Sequence, residues 1–483
     1  MDLRQWIEKV SAIGELQEIK GAHWNLEIGA IADLIYRKSR KARPLLYFSQ
    51  IPDYPPDVGI VIGMLSSPRR LALSLGLDLN NGLIGLVKQF RALFGNIKPL
   101  AARVVTESPL LENIHEGKDI NVLEFPAPFH HELDGGRYLG TACSVITRDP
   151  DDGTINLGTY RIMVHDEKTL GLHILPGKHG AIHRDKYFAK GESFPVAVAI
   201  GTDPLLFLMS CLEIPPKVCE YDYQGGLRNE PVPVIMGSVT GLPLPAEAEI
   251  VVEGICHPQE TRPEGPFGEW CGYYANNGLN PVDEPVIHVK RILHRNNPIM
   301  TVAQPGRGDD FNFQRVIVRS ALVWDELEKA GVPDIAGVWC HEAGASRFLI
   351  IVAINQRYAG HARQAAAVAC QCHAGAFNGR YVIVVDEDID PSNTFDVLWA
   401  LSTRSDPAND IDILRRTWSS SADPMINPDI PARQKGLNSR ALIDACRPYE
   451  WKDRFPPVVE TSPALERVVY EKWPNIKDMI DDL

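Results

Sequence analysis

The chain runs to 483 residues, too long for one ordinary hydrophobic core, so two or three domains are the natural division. Hydrophobic residues make up 45% and charged residues 23%, which is globular composition, and the formal net charge of −13 excludes broad nucleic-acid binding, which needs a basic field over phosphates. No run of about 18 apolar residues occurs, so no membrane span is expected, and Met1-Asp2-Leu3-Arg4-Gln5-Trp6 lacks an apolar signal core, which points to the cytoplasm.

In chain order, Asp2 is placed to cap a helix carrying Leu3, Trp6, Ile7 and Val10 on one face. A second helical pattern covers residues 26–36. Strand-like runs follow at 45–48 and 59–64, then apolar helical segments across 69–94. This alternation predicts an α/β unit. From about residue 121 to 301 short strands dominate, at 141–147, 156–165, 194–200, 232–236, 250–256 and 286–293. Pro and Gly punctuate them, with one helical stretch near 178–189. Many short strands at close spacing indicate a sandwich or barrel. A helix over 313–329 then leads into strands at 348–354 and 381–385 that flank helices at 361–373 and 395–403. That is a βαβ pattern and implies a parallel or mixed sheet. From Ser405 onward Pro, Asn and Asp are frequent, and a short helix is expected at 476–483.

No Walker loop, no GxGxxG after a strand and no GxSxG elbow occurs. Nine cysteines, an odd and scattered set, read as free thiols of a reducing compartment. Cys370-Gln371-Cys372-His373 and Cys340-His341 could ligate zinc, but the first lies in an Ala-rich helical stretch and neither has a paired CxxC spacing. Buried structural thiols are the better reading.

The most informative segment is Glu264-Gly265-Pro266-Phe267-Gly268-Glu269. Gly and Pro there predict a fixed turn, and a turn presenting two carboxylates suits acid–base chemistry; a polar surface turn is the plain alternative. Within the strand-rich middle, Asn156 and Arg161 sit five apart on one strand pattern. His179 lies in the turn Pro176-Gly177-Lys178-His179-Gly180, and Glu220 lies before Gly225-Gly226. An amide oxygen, an imidazole and a carboxylate suit Mn2+ or Mg2+, although each residue alone is more often an ordinary satisfied polar side chain. In so acidic a chain an anionic ligand must be held by local donors, cations or a metal.

These motifs, in this order, resemble the UbiD-like decarboxylase family, which uses prenylated FMN. The resemblance runs through most of the chain and is densest from Asp134 to Tyr274. It rests on Asp134-Gly135-Gly136-Arg137-Tyr138, Thr147-Arg148-Asp149-Pro150-Asp151-Asp152-Gly153, Asn156 through Arg161, Gly177-Lys178-His179-Gly180, and Glu220 with Gly225-Gly226. Ile250-Val251-Val252-Glu253-Gly254 and the two-glutamate segment continue it, and Asp386-Glu387-Asp388-Ile389-Asp390 with Asp396-Val397-Leu398-Trp399-Ala400 is similar to the family's C-terminal domain.

The resemblance implies a mixed, α+β fold. It comprises an N-terminal α/β segment (1–110), a split β-barrel, flavin-reductase-like, that binds prenylated FMN (111–310), a linker helix (311–330), a C-terminal α/β oligomerisation domain (331–450) and a tail (451–483). Asn156, His179 and Glu220 match residues that hold a divalent metal, Mn2+ or Mg2+, between protein and flavin phosphate, with K+ sharing Glu220. Arg161, Glu264 and Glu269 match the family's catalytic network. Gly158, Thr159, Tyr160, Arg161, Lys178, Ser210 and Cys211 match cofactor contacts, although the serine-rich form of some relatives is only half kept at Ser210-Cys211. The implied activity is reversible, non-oxidative decarboxylation of an aromatic or heteroaromatic acid through a covalent substrate–cofactor adduct, with Glu269 as proton donor. Candidates for the substrate pocket are Leu175, Lys178, Asp309-Asp310-Phe311-Asn312 and Leu401. Leu401 stands where relatives acting on phenylacrylic acids carry aromatic residues, which favours a benzoic or heteroaromatic acid. A flavin prenyltransferase would supply the cofactor, and a homodimer or a hexamer built as a trimer of dimers is implied. The competing expectations are the same chemistry run as a carboxylase, a non-catalytic flavin-binding or assembly subunit, and a metal-dependent hydrolase. The last lacks a nucleophile motif.

Overall fold

A computed structural model describes residues 1–38, 43–214, 217–275, 278–307, 312–427, 429 and 436–476. The first helix, Leu3–Ala12, forms as the sequence dictates: the Asp2 carboxylate accepts from the Gln5 amide, the Gln5 side chain answers in a capping box, and Leu3, Trp6 and Val10 are buried. The apolar stretch after residue 68 resolves into two helices. Ser67 caps Pro68–Leu75, Gly76 at φ +68° ends it, and Gly82–Phe94 follows.

The N-terminal sheet has four strands in the order Leu16–Lys20, Leu45–Ser49, Gly59–Ile62, Ile299–Val302. Its last strand arrives from far along the chain and pairs in parallel with Gly59–Ile62. The first two regions are therefore tied by backbone hydrogen bonds.

The central sheet has nine strands, and every pairing in it is antiparallel. Its spine is a long hairpin, Ile250–Glu264 against Val282–His294, in which Ile250 faces His294 and Glu264 faces Val282. The single strand expected over 156–165 is two strands, Ile155–Gly158 and Arg161–Asp166. Ile155–Gly158 closes one end of the strand order, while Arg161–Asp166 lies next to the other end. Gly158 and Arg161 can stand no more than about 11 Å apart. The sheet must therefore curl until its two ends meet, and Thr159-Tyr160 bridges the seam. The break has visible causes: the Thr159 amide donates to the Ser210 carbonyl instead of a strand, at 3.1 Å, and the Tyr160 hydroxyl accepts from the Gly180 amide. Ile162, Leu170, Val198 and Ile292 fill the inside of the curl, packed with Phe48 and Ile60 of the N-terminal sheet.

Beyond the helix Asn312–Lys329 lies a mixed five-stranded sheet, ordered Ile335–Cys340, Leu349–Ile354, Tyr381–Asp386, Leu437–Ala445, Ile411–Trp418. Its inner pairings are parallel and its outer pairings antiparallel. The helices His361–Gln371 and Thr394–Arg404 cover it. The strands Ile411–Trp418 and Leu437–Ala445 and the helix Pro463–Lys472 have no counterpart among the expected elements. The helix expected at 476–483 lies, from 477 on, outside the described residues. One large core joins Trp6 and Leu71 of the first region to Trp339, Val352 and Ala366 of the last.

Candidate functional site

Arg161 begins its strand at the seam, and across the ladder it faces His173. Its guanidinium forks onto Glu264, with Nε 2.7 Å from Oε1 and Nη2 2.6 Å from Oε2. The remaining nitrogen, Nη1, lies 3.7 Å from Glu269 Oε1. A bidentate Arg–carboxylate pair fixes orientation as well as charge. Burial pulls the Arg161 pKa down, but the bond to Glu264 more than offsets it, so the cation is held charged. The ring of Phe267 lies under the guanidinium, 4.6 Å from Cζ, and Tyr138 packs on that ring at 4.3 Å. Burial, with the charge of Glu264 added, pushes the Tyr138 hydroxyl far above its ordinary range and keeps it protonated.

The two carboxylates are not equivalent. The side chain of Glu264 is 1% exposed and closes its strand, whereas Glu269 is 17% exposed and sits past the turn. Glu264 is thus engaged with Arg161 by both oxygens, and Glu269 is the more accessible of the two. The turn begins at Gly265, whose φ of +82° suits glycine. Its position is set from below: the Gly135 amide donates to the Pro266 carbonyl at 2.7 Å, and a Cβ on Gly135 would come within 1.9 Å of the Gly265 carbonyl oxygen. Asp134 accepts from the Tyr274 hydroxyl at 2.8 Å and ties the far side of the same loop.

A second group forms on the other face of the seam. Glu220 opens the helix Glu220–Arg228, and its Oε2 accepts from the amide of Leu157, the neighbour of Asn156, at 2.7 Å. Asn156 Nδ2 donates to the Tyr160 hydroxyl at 3.3 Å, which leaves Oδ1 available as a ligand. The same hydroxyl takes the Gly180 amide, the neighbour of His179, at 3.1 Å. Two short links therefore tie the backbone beside His179 and the side chain of Glu220 to the strand that carries Asn156. His179 is the first residue of the helix His179–Ala189, not part of a turn, because Lys178 is already the extended cap. Glu220 is 2% exposed, and among the described residues no Lys or Arg pairs with it. Burial pushes its pKa up to about 8. A buried carboxylate without a cation, on elements linked to those of an amide and an imidazole, is of the kind that takes a divalent metal.

The other expected residues fall in several places. Gly158 lies against the Tyr160 ring so closely that a Cβ would reach 2.3 Å from it. Ser210 Oγ bonds Ser144 Oγ at 2.7 Å, and Thr159 Oγ1 lies 3.4 Å from Cys211 Sγ, whose pKa burial raises to about 11. Lys178 pairs with Glu213 at 2.8 Å. Leu175 is 42% exposed, and Leu401 packs half-buried on the core shared by the terminal regions. Asp309, Asp310 and Phe311 lie outside the described residues, as does the side chain of Asn312. Cys340 and Cys370 are buried free thiols, and His341 is engaged with the Thr394 hydroxyl at 2.7 Å, so neither cysteine–histidine run gathers a metal set.

Sequence reasoning missed two features. His173 Nδ1 lies 2.8 Å from Glu284 and 4.0 Å from Glu264, which extends the acid network by one pair. Its signal was the position opposite Arg161, visible only once Thr169–His173 is recognised as the hairpin partner of Arg161–Asp166. The second is a set of arginines beside Trp270: the guanidinium carbons of Arg315 and Arg347 lie 5.8 and 5.4 Å from its ring. Burial lowers the pKa of Arg319 to about 10 and drives that of Arg347 well down, with the neighbouring arginines adding to the effect. Arg319 and Arg347 share Glu213, which pairs with Lys178 on the other side, so this corner holds excess positive charge.

The fold has counterparts in known proteins. Family models match all three parts of the chain: the 3-octaprenyl-4-hydroxybenzoate carboxy-lyase N-terminal domain at residues 7–89, its Rift-related domain at 103–308 and its C-terminal domain at 314–445. The chain belongs to the UbiD family of carboxy-lyases. It is 30% identical to a pyrrole-2-carboxylic acid decarboxylase of Pseudomonas aeruginosa, over 98% of this chain and 97% of that protein. Among solved structures, the vanillic acid decarboxylase of Sedimentibacter hydroxybenzoicus in open form is 28% identical and superposes with a TM-score of 0.84 over 99% of both chains. An evolved dimeric form of HmfF from Pelotomaculum thermopropionicum, in complex with prFMN, is 25% identical with a TM-score of 0.81 over 96% of this chain and 98% of that one.

Proposed function

We propose that this protein is a prenylated-FMN-dependent decarboxylase of an aromatic or heteroaromatic carboxylic acid, with Glu269 as the proton donor. The observation that carries the reading is the division of labour between the two glutamates. Glu264, buried, holds Arg161 by both oxygens, and Glu269, accessible, stands 3.7 Å from the nitrogen that is left over. The relatives named for pyrrole-2-carboxylic and vanillic acid support the substrate class, and the relative bound to prFMN supports the cofactor.

Losing carbon dioxide from an sp² carbon leaves an electron pair in the ring plane with no sink, and prenylated flavin supplies that sink when bound. The chain's own residues do the rest. Arg161 stays charged and oriented because Glu264 grips it, and it presents Nη1 to Glu269. Glu269 returns a proton to the carbon that lost its carboxylate, from a position that needs only hydrogen-bond reach. Asn156, His179 and Glu220 would hold Mn2+ or Mg2+ against the flavin phosphate, with K+ sharing Glu220. The ion answers the charge problem of an acidic protein binding an anion. A flavin prenyltransferase would supply the cofactor, and assembly as a homodimer or a hexamer built as a trimer of dimers accompanies the reading. Among the described residues no helix is long and apolar enough to cross a membrane.

Protein co-expressed with a flavin prenyltransferase is expected to be coloured and to release carbon dioxide from members of an aromatic-acid panel. Glu269→Gln should abolish turnover and substrate proton exchange while the flavin spectrum persists. Retained turnover would remove Glu269 from its role, and a colourless protein would remove the reading as a whole.

A further inference from the structure

Three side chains that the proposed reaction does not use meet at the end of the long hairpin opposite Glu264. His115 lies on the strand Asn113–Glu116, Glu124 ends the short 3-10 turn Val122–Glu124, and His294 ends the strand Val282–His294. The backbone brings them together, since Asn113 faces His294 and His115 faces Ile292 in the ladder. Each offers one ligand atom, and these atoms all lie within 4.8 Å of one another. Glu264 faces Val282 at the other end of this strand, on the order of 40 Å away at strand rise.

The protonation pattern at His294 is that of a ligand. Its Nδ1 lies 2.8 Å from the Arg295 carbonyl, so the ring proton sits there and Nε2 keeps its lone pair. That Nε2 is buried and has no hydrogen-bond partner. A second ring nitrogen pinned to a backbone carbonyl is how metal-binding histidines are oriented. His115 Nδ1 stands 3.0 Å from Glu124 Oε1, and the two imidazoles meet edge to face with centroids 5.1 Å apart. Phe125 closes the other side of the His294 ring at 5.4 Å. The nearest cation in sequence, Arg295, is occupied by Asp2 and Glu249 and leaves the group's net charge to Glu124.

We propose that His115, Glu124 and His294 form a structural site for one divalent ion of the zinc type, with water in the fourth position. Two imidazoles and one carboxylate are a zinc ligand set. A simple ion pair between His115 and Glu124 accounts for those two residues but leaves the buried Nε2 of His294 unmet, which costs free energy. A tetrahedral ion sets its ligands about 3.4 Å apart, so closure needs roughly 1 Å of side-chain rotation. The ion would staple the strand Asn113–Glu116 and the following turn to the hairpin end, and it stands apart from the flavin chemistry.

The test uses the full chain with Glu220→Gln, which silences the metal group of the candidate active site. After chelation and re-addition of zinc, one equivalent per chain should survive gel filtration and raise the unfolding temperature. Adding His294→Ala should weaken zinc binding by more than roughly 100-fold, beyond the loss of an outer partner. Should that variant fold poorly, cobalt(II) added to the parent decides: a tetrahedral absorption spectrum supports the site. No retained zinc, zinc retained equally by the His294→Ala protein, or a spectrum matching aqueous cobalt would each overturn it.

Discussion

Glu220 carries a strong electrostatic conflict in the candidate site, because burial, with the charge of Asp222 adding to it, raises its pKa from 4.5 to about 8. In the metal-free chain the folded state holds a proton that the unfolded state releases near 4.5. The folded protein therefore binds more protons across that window, and stability, complete below about pH 4.5, falls as pH rises toward about 8. Chelated protein should lose unfolding temperature over this window, Glu220→Gln should lose less, and Mn2+ should restore the parent most at high pH. Calorimetry at several pH values reads this, and superimposable profiles for parent and variant would refute the assignment. At this scale the sequence was informative where chemistry clustered locally. Glu264 and Glu269 frame one turn, and the spacing of Gly and Pro made it visible. The links around Asn156, His179 and Glu220 were not visible, because they run through Leu157, Tyr160 and Gly180. His173 stayed hidden for the same reason: its neighbours Glu264 and Glu284 are far off in sequence.

Among the elements, the hinge of the site is contact between two loops. Gly135 lies so close under Gly265 that a methyl group would meet backbone at 1.9 Å, and backbone cannot swing aside. Gly135→Ala should therefore lift the turn that carries Glu269 and cost about 1–3 kcal/mol, the usual cost of forcing atoms into a packed place. Turnover is expected to fall by well over the factor that the stability loss explains, since about 1 Å of misplacement can cost roughly 100-fold. Chemical denaturation and steady-state rates on the same preparation separate the two, and wild-type turnover in the variant would show that the loop contact does not position the acid. Strands with plain apolar runs, such as Phe194–Ile200, were legible. The break at Thr159-Tyr160 was not, because it is imposed by partners on Ser210 and Gly180 rather than by Gly or Pro. Leu437–Ala445 escaped because it buries a charged residue: Arg440, 1% exposed, satisfies the carbonyls of Gly375 and Trp418 at 3.1 and 2.7 Å. Ile411–Trp418 is an edge strand with mostly exposed side chains, so its pattern lacks an apolar face.

For the whole molecule, the three family segments do not correspond to three independent cores. The strand Ile299–Val302 leaves the central region to complete the N-terminal sheet, and the Thr301 hydroxyl inside it donates to the Ala142 carbonyl at 2.7 Å. The helix Pro204–Ser210 of the central region buries Leu205, Phe207, Leu208 and Met209 in the core that Trp6 and Trp339 share. Exposing four such side chains would cost about 1.5–3 kcal/mol each, together comparable with the roughly 5–15 kcal/mol that holds a domain folded. The central segment alone, residues 103–308, is therefore expected to be insoluble or to unfold without a cooperative transition. The full chain, by contrast, should show one dominant transition in which the curled sheet and the terminal regions melt together. A soluble, monomeric 103–308 fragment with a sharp calorimetric transition would show that the shared core is dispensable, and the seam at Thr159-Tyr160 would then have to be held by the curled sheet alone.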